Sequence, residues 1–313
     1  MASTTRRPAP ASSSPRSSLR SAGPLARLPP ASFFGVSAIF HYLGPSLAVL
    51  LFAHLAPLGV MWLRIATAAA VFAVWRRPWR VIARLDRREK LVLVGLAAVL
   101  AGMNSLFYLA VDRLPLATVG AIEFLGTVVL ATLGVRTWRN LAALGATVAG
   151  VGLLTALKVG SDPLGYLFAF GNCVGFVVYV VLGHRIANPQ ASSPEGASAA
   201  TAGIDQLGAS MGLAALLAIP VGLPFAIPVF YHPVWLMWGV AVGVCSSVIP
   251  YVTDQLAMAR LPRATFALML ALLPACATVI GVVVLGQIPT AAELAGIGLV
   301  IAGLIVHQPN PQR

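Results

Sequence analysis

Three polar side chains sit inside stretches that hydrocarbon would dissolve: Arg64 in MWLRIAT, Asn104 in GMNSLFYL and Glu123 in AIEFLG. Ionisable groups in such stretches are expensive and by default mark a binding site or an ion path. A guanidinium offers two parallel N–H bonds to a carboxylate, and a carboxylate takes an ammonium or a proton. Together they suit a small molecule carrying both charges. The structural alternative is an ion pair that only ties helices together. Tyr108 stands four residues after Asn104 and shares its helix face. Tyr251 and Gln255 repeat that spacing, Asp254 lies beside them, and Tyr179 adds a hydroxyl within another apolar run. Such residues also bond neighbouring helices, and long charged side chains near helix ends snorkel to water.

Covalent and metal chemistry find little support. His41, His54, His184, His232 and His307 are scattered without ligand spacing, and Cys173, Cys245 and Cys276 lie singly in apolar runs. They read as packing residues, and no metal or cofactor is implied. A nucleotide-driven pump would need a P-loop, which is absent, so energy would have to come from an ion gradient. A membrane-embedded enzyme is thereby disfavoured, and a non-transporting sensor or scaffold stays open as a weaker alternative.

The elements that position these groups follow from composition. The chain has 313 residues, 58% hydrophobic and 10% charged, with a mean hydropathy of +0.88, which defines a polytopic all-α membrane protein. A net charge of +12 would suggest nucleic acid in a soluble chain. Here the arginines fall between apolar runs, so membrane topology accounts for them and no nucleic acid is expected. Runs near the ~20 residues of a spanning helix are Phe33–Ala53, Leu58–Trp75, Leu91–Val111, Leu116–Val135, Leu141–Leu157, Pro163–Gly183, Asp205–Pro224, Val234–Met258, Ala264–Leu285 and Ala291–Val306. These predict ten transmembrane helices in the lipid bilayer. Asp112, Arg113 and Pro115 form a turn at one membrane surface. Counting ~1.5 Å per residue from it puts Asn104 and Glu123 roughly 10 Å deep, with Arg64 about 9 Å deep and Asp254 about 6 Å from the opposite face.

Lys and Arg choose the orientation. With the N-terminus inside, 18 of the 21 fall on the cytoplasmic side, leaving Arg113 and Lys158 outside and Arg64 within a span. Both termini are then cytoplasmic. Laid on itself with a shift of 147 residues, LAVDRLPLAT from Leu109 meets LAMARLPRAT from Leu256, identical at seven of ten positions. Two five-helix halves with an odd number of spans each must be inverted relative to one another, the architecture of secondary transporters. Residues 1–30, rich in Ser, Pro and Arg, read as a disordered cytoplasmic tail. Residues 31–186 carry the first repeat together with the opening helix of the second, at 163–183. Residues 187–204 form a flexible cytoplasmic linker, 205–308 complete the second repeat, and 309–313 are a C-terminal tail. The residues leave open whether two copies pair as a homodimer.

GMNSLFYLAV with its LP turn, AIEF, LGHR after Tyr179 and IPYVTDQLAMARLPRATF together resemble the EamA-type members of the drug/metabolite transporter superfamily, and among them the bacterial threonine/homoserine exporters. The resemblance spans roughly Phe33 to Val306. It implies a central cavity in the bacterial inner membrane and export of small amino acids or related metabolites by proton antiport; export of another small metabolite or drug is the alternative. Arg64 would take the substrate carboxylate and Glu123 the ammonium or the coupling proton. Asn104, Tyr108, Tyr179, Tyr251, Asp254 and Gln255 would shape the pocket. Many members carry Glu-Pro where this chain has Leu273-Pro274, and Gly-Glu where it has Gly286-Gln287. Under the 147-residue shift Glu123 falls on Leu270, so one half alone supplies a deep carboxylate.

The inverted repeat makes a topological prediction. An accessibility tag in the Arg113 turn is reached from outside the cell and one in the Arg260 turn only from inside; labelling of both from one side would refute the repeat.

Overall fold

With no water to bond the backbone inside a bilayer, a chain this apolar folds into helices that bond their own N–H and C=O groups. The computed structural model describes residues 30–134, 137–156, 162–187, 197–258 and 273–306, and among these there is helix and turn but no strand. The N-terminal tail, residues 188–196 of the linker, Lys158, the turn with Arg260 and Arg263, residues 264–272 of the predicted ninth span and the C-terminal tail lie outside them.

The helices are α1 Pro30–Leu51, α2 Pro57–Arg76, the short α3 Trp79–Arg84, α4 Arg87–Val111, α5 Leu116–Gly134, α6 Trp138–Ala156 and α7 Pro163–Ala187. They are followed by α8 Ala197–Leu217, α9 Ile219–Ala226, α10 Pro233–Gly243, α11 Ile249–Met258, α12 Leu273–Leu285 and α13 Ala291–Val306. Among the described residues four stretches are long and apolar enough to cross a membrane, α1, α2, α4 and the run of α10 into α11, or five if the bent pair α8–α9 counts as one span, and shorter apolar helices accompany them. The protein is a multi-pass membrane protein.

Prolines account for the main departures from ten uninterrupted runs. The predicted seventh span, Asp205–Pro224, bends by 73° between Leu217 and Ile219. Pro220 and Pro224 lie just past the break, and a proline can neither donate to the preceding turn nor fit its carbonyl. The predicted eighth span is interrupted by a π-helical turn, Val244–Val248, ahead of Pro250. α8 begins at Ala197, inside the stretch predicted as linker, because the alanines of ASAATAG favour helix. Asp86 opens α4 with a capping box to Glu89, each side chain bonding the other's backbone N–H at 2.7 and 2.8 Å. At the opposite end of the bundle Gly286, at φ 66°, ends α12. The next side chain, Gln287, turns back so that its Oε1 accepts from Leu116 N at 3.1 Å, capping the first turn of α5.

Packing follows a regular plan. α4 lies on α7 and α8, while α1 lies on α10 and α11; α5 lies on α6, α7 and α12, and α12 lies also on α1. α2 packs on α8 and α9, and α6 on α13. The α6–α13 contact is backbone to backbone: a Cβ on Gly150 would come within 2.5 Å of the Gly296 carbonyl, and one on Gly296 within 2.9 Å of the Gly150 carbonyl. Small residues let helices approach this way, which matters where hydrocarbon tails compete for apolar surface. Other glycines of the bundle behave alike, Gly171 against Leu106, Gly175 against Met103 and Gly243 against Thr67, whereas Gly212 faces open space.

Gly152 lies on the same helix as Gly150 with nothing near its Cβ position. Gly150→Leu therefore costs at least the ~1–3 kcal/mol of overpacking and lowers the melting temperature in detergent. Gly152→Leu leaves it nearly unchanged; equal effects would show that the α6–α13 seam does not hold the fold.

Candidate functional site

Arg64 is 7% exposed in the middle of the bundle, so its guanidinium must be bonded by protein. The π turn supplies the partners. In a regular helix the N–H of residue 250 would bond the carbonyl of residue 246, but Pro250 has no N–H. Ser246 O, left free, accepts from Arg64 Nη2 at 3.2 Å, and Ser247 Oγ accepts from Nε at 2.8 Å. The guanidinium carbon lies 5.6 Å from the centroid of the Tyr108 ring, a cation–π distance. Two glycines bring the turn this close. Gly243 touches Thr67 and the Arg64 carbonyl across α2, and Gly44 of α1 seats the Ser246 backbone.

Beside this arginine is a cavity of about 70 Å³. His41, Tyr42 and Pro45 of α1 line it with Arg64 on one part; Met103, Asn104 and Phe107 come from α4 and Glu123 from α5. Asn172, Phe176 and Tyr179 of α7 and Tyr251 of α11 complete it. Small-molecule pockets run to ~300–1,000 Å³, so this one is closed around little more than a few atoms. Asn104 Nδ2 donates to Leu100 O at 2.7 Å within its own helix. Tyr42 Oη, Tyr108 Oη, Asn172 Nδ2 and Ser246 Oγ are buried without a hydrogen-bond partner. Buried polar atoms are nearly always bonded, so a cluster of exceptions marks a place where something polar binds. Tyr42 fits beside Glu123 because Gly120, one turn earlier on α5, leaves room: a Cβ there would lie 2.9 Å from Tyr42 Oη.

Of the eight residues predicted from sequence, Arg64, Asn104, Glu123, Tyr179 and Tyr251 line this cavity, and Tyr108 stacks against Arg64. Asn104 and Tyr251, counterparts under the 147-residue shift, face it from α4 and α11. Asp254 and Gln255 lie one turn further on, outside the lining, where α8 packs on α11 and Gln255 meets Gly203. Asp254 is half-buried and its Oδ1 has no partner. Arg64 and Glu123 do not form the ion pair considered as the structural alternative. The ion pairs among the described residues are Arg76–Asp205 and Arg113–Asp162.

Sequence reasoning places Tyr42, Asn172 and the serine pair outside the predicted site, and reads His41 as a lone histidine without ligand spacing. The usable signal was Pro250 four residues after Ser246, which announces a free carbonyl within a span. Among the described residues no group of His, Cys, Asp and Glu could hold a metal ion.

Apolar helices around a buried cavity with an arginine and a glutamate in its wall make a polar site inside a membrane protein, and the relatives it resembles are transporters rather than enzymes. Over 264 residues the chain is 31% identical to the threonine/homoserine exporter RhtA of Escherichia coli K12, covering 83% of this chain and 84% of that protein. The RhtA of Salmonella typhimurium LT2 matches with the same identity and coverage. The chain belongs to this exporter family, within the EamA-type members of the drug/metabolite transporter superfamily. A crystal structure 19% identical superimposes with a TM-score of 0.59 over 91% of this chain and 100% of that one, so the fold is shared. No family model matches the chain.

A hydrogen bond to a charged group is worth ~1.5–3 kcal/mol, and a neutral one about 1. Ser247→Ala therefore destabilises more than Ser46→Ala, whose hydroxyl bonds only Leu43 O of its own helix at 2.8 Å. Equal melting shifts for the two variants would mean that Ser247 does not hold Arg64.

Proposed function

We propose that this transporter exports a small amino acid of the threonine or homoserine kind across the bacterial inner membrane in exchange for protons. The observation that carries the reading is the cluster of unpartnered polar atoms around a cavity whose wall holds both a guanidinium and a carboxylate. Two of the five N–H bonds of Arg64 are spoken for by Ser246 and Ser247, which leaves three for a substrate carboxylate. Glu123 stands unpaired with Arg64 and takes the substrate ammonium or a proton. Asn104, Tyr179 and Tyr251 frame the pocket, with Tyr108 behind the arginine. The named substrates of the RhtA relatives point the same way.

The architecture in this reading is ten spans in two inverted five-helix repeats, with both termini cytoplasmic. Besides the charge bias, the packing plan supports it. If each span of one half corresponds to the span five later, the contact of α4 with α7 should reappear as that of α10 and α11 with α1. Likewise α5 on α7 should reappear as α12 on α1, and α4 on α8 as α10 on α2, and each of these contacts is present. α6–α13, α2–α8 and α5–α12 map onto themselves. Such repeats rock against one another around a binding site at their interface, and the cavity lies between them.

Coupling follows from the single deep carboxylate. A substrate that draws on Arg64 and Glu123 competes with the proton on Glu123, and two ligands that share a group are thermodynamically linked. Glu123→Gln keeps the shape and removes the titration. In inverted vesicles with an imposed pH gradient, the variant loses accumulation of labelled threonine or homoserine while retaining equilibrative exchange. Accumulation with the wild-type pH dependence would make Glu123 structural and move the coupling role to Asp254.

A further inference from the structure

Away from the site, a groove of about 670 Å³ opens where α2, α3, the start of α4 and α8 meet. Its floor is rigid. Arg76 is held by Asp205 of α8 through two hydrogen bonds of 2.5 and 3.0 Å, and Pro78 packs over Gly208 of the same helix. Between them Arg77 caps α2 in the left-handed conformation, φ 52° and ψ 59°, its N–H on Ala73 O at 3.3 Å. Glycine takes that conformation without steric cost. An arginine held there points to a use for its side chain.

Arg80 and Arg84 stand four apart on one face of α3, Arg77 stands at the end of α2, and all three line the groove as exposed residues. Their guanidinium groups make no ion pair or hydrogen bond among the described residues. The carboxylates of the groove are already engaged, Asp205 by Arg76 and Glu89 by the N–H of Asp86 at 2.8 Å. Val81, Leu85, Leu93 and Ala209 give the wall an apolar strip, with Gln206 the further polar side chain in it. Trp75 in the groove and Trp79 beside it are 53% and 54% exposed, as tryptophans at a membrane–water interface are. The bias of positive charge toward one side requires only a number of cations. It does not require three unpaired forks arranged over an apolar wall.

We propose that this groove is a binding site for an anionic phospholipid, with Arg77, Arg80 and Arg84 holding the headgroup phosphate and Val81, Leu85 and Leu93 lying along an acyl chain. Guanidinium forks bond phosphate oxygens in pairs, which lysine does not do. Acyl contact separates a lipid from a free anion.

Native mass spectrometry of the full chain in detergent tests this with phosphatidylglycerol, phosphatidylcholine and inorganic phosphate as probes. The protein retains phosphatidylglycerol and not phosphatidylcholine, and inorganic phosphate at equal concentration does not displace it. The charge-conserving triple variant Arg77→Lys, Arg80→Lys, Arg84→Lys binds phosphatidylglycerol about tenfold or more weakly, since it keeps point charges but loses paired bonds. Arg87→Lys with Arg88→Lys, outside the groove, binds as the wild type does. Should the triple variant fail to insert, Arg80→Lys with Arg84→Lys carries the same comparison with a smaller loss. Undiminished binding by the lysine variant, equal retention of phosphatidylcholine, or displacement by inorganic phosphate would each overturn the assignment.

Discussion

A proline and an arginine solve one another's problem in the middle of this bundle. Pro250 removes the donor that Ser246 O would have had, and a bare carbonyl inside a membrane is costly. Arg64 brings a cation with five donors to satisfy, and a bare guanidinium there is costlier still. Their meeting at 3.2 Å, reinforced by Ser247, accounts for a π turn where the sequence reads as one uninterrupted helix. Single π turns inside longer helices often accompany function. The close approach of α10 to α2, the seat on α1 at Gly44 and the tyrosine ring against the guanidinium all serve this contact. Lose it, and the wall of the cavity loses its fixed charge.

Much of this was open to a reader of the sequence alone. Composition demands helices, and the cost of charge in hydrocarbon singles out Arg64 and Glu123. Simple depth counting, from the Asp112–Pro115 turn for Asn104 and Glu123 and from the start of the second span near Leu58 for Arg64, puts the three near one level, and they do line one cavity. Side-chain periodicity, however, gives a face and not a neighbour. Tyr42 enters the cavity that Glu123 lines because α5 carries Gly120 where the ring passes, and nothing in either helix alone announces that approach. Gln255 shares its face with Tyr251, yet α8 covers it one turn on. The 73° bend at α8–α9 was readable as prolines but not as an angle, since a proline permits a break without specifying its direction.

The bundle divides into two kinds of contact. Along α6 and α13 the backbones touch at Gly150 and Gly296, with Leu154, Leu299 and Val300 packed around the contact. Around the cavity the side chains are large and partly unsatisfied: Tyr42 and Asn172 in the wall, and Tyr108 behind Arg64, keep polar atoms without partners. Dispersion holds the first region, which gains from every ångström of approach. The second forgoes part of that stabilisation, as sites that must accept a polar guest commonly do. The stiff seam and the under-satisfied pocket thus lie in different helices of one chain.

Gln287 shows how a neutral group can do a structural task that a charged one would complicate. It reaches from the end of α12 to the first N–H of α5, where a helix leaves donors unsatisfied. Related proteins with Gly-Glu at this position put a carboxylate there, whose charge follows the acidity of the adjoining medium. An amide accepts the same bond and has no proton to gain. The bond between α12 and α5 therefore does not itself titrate, whatever the acidity of the medium on that side.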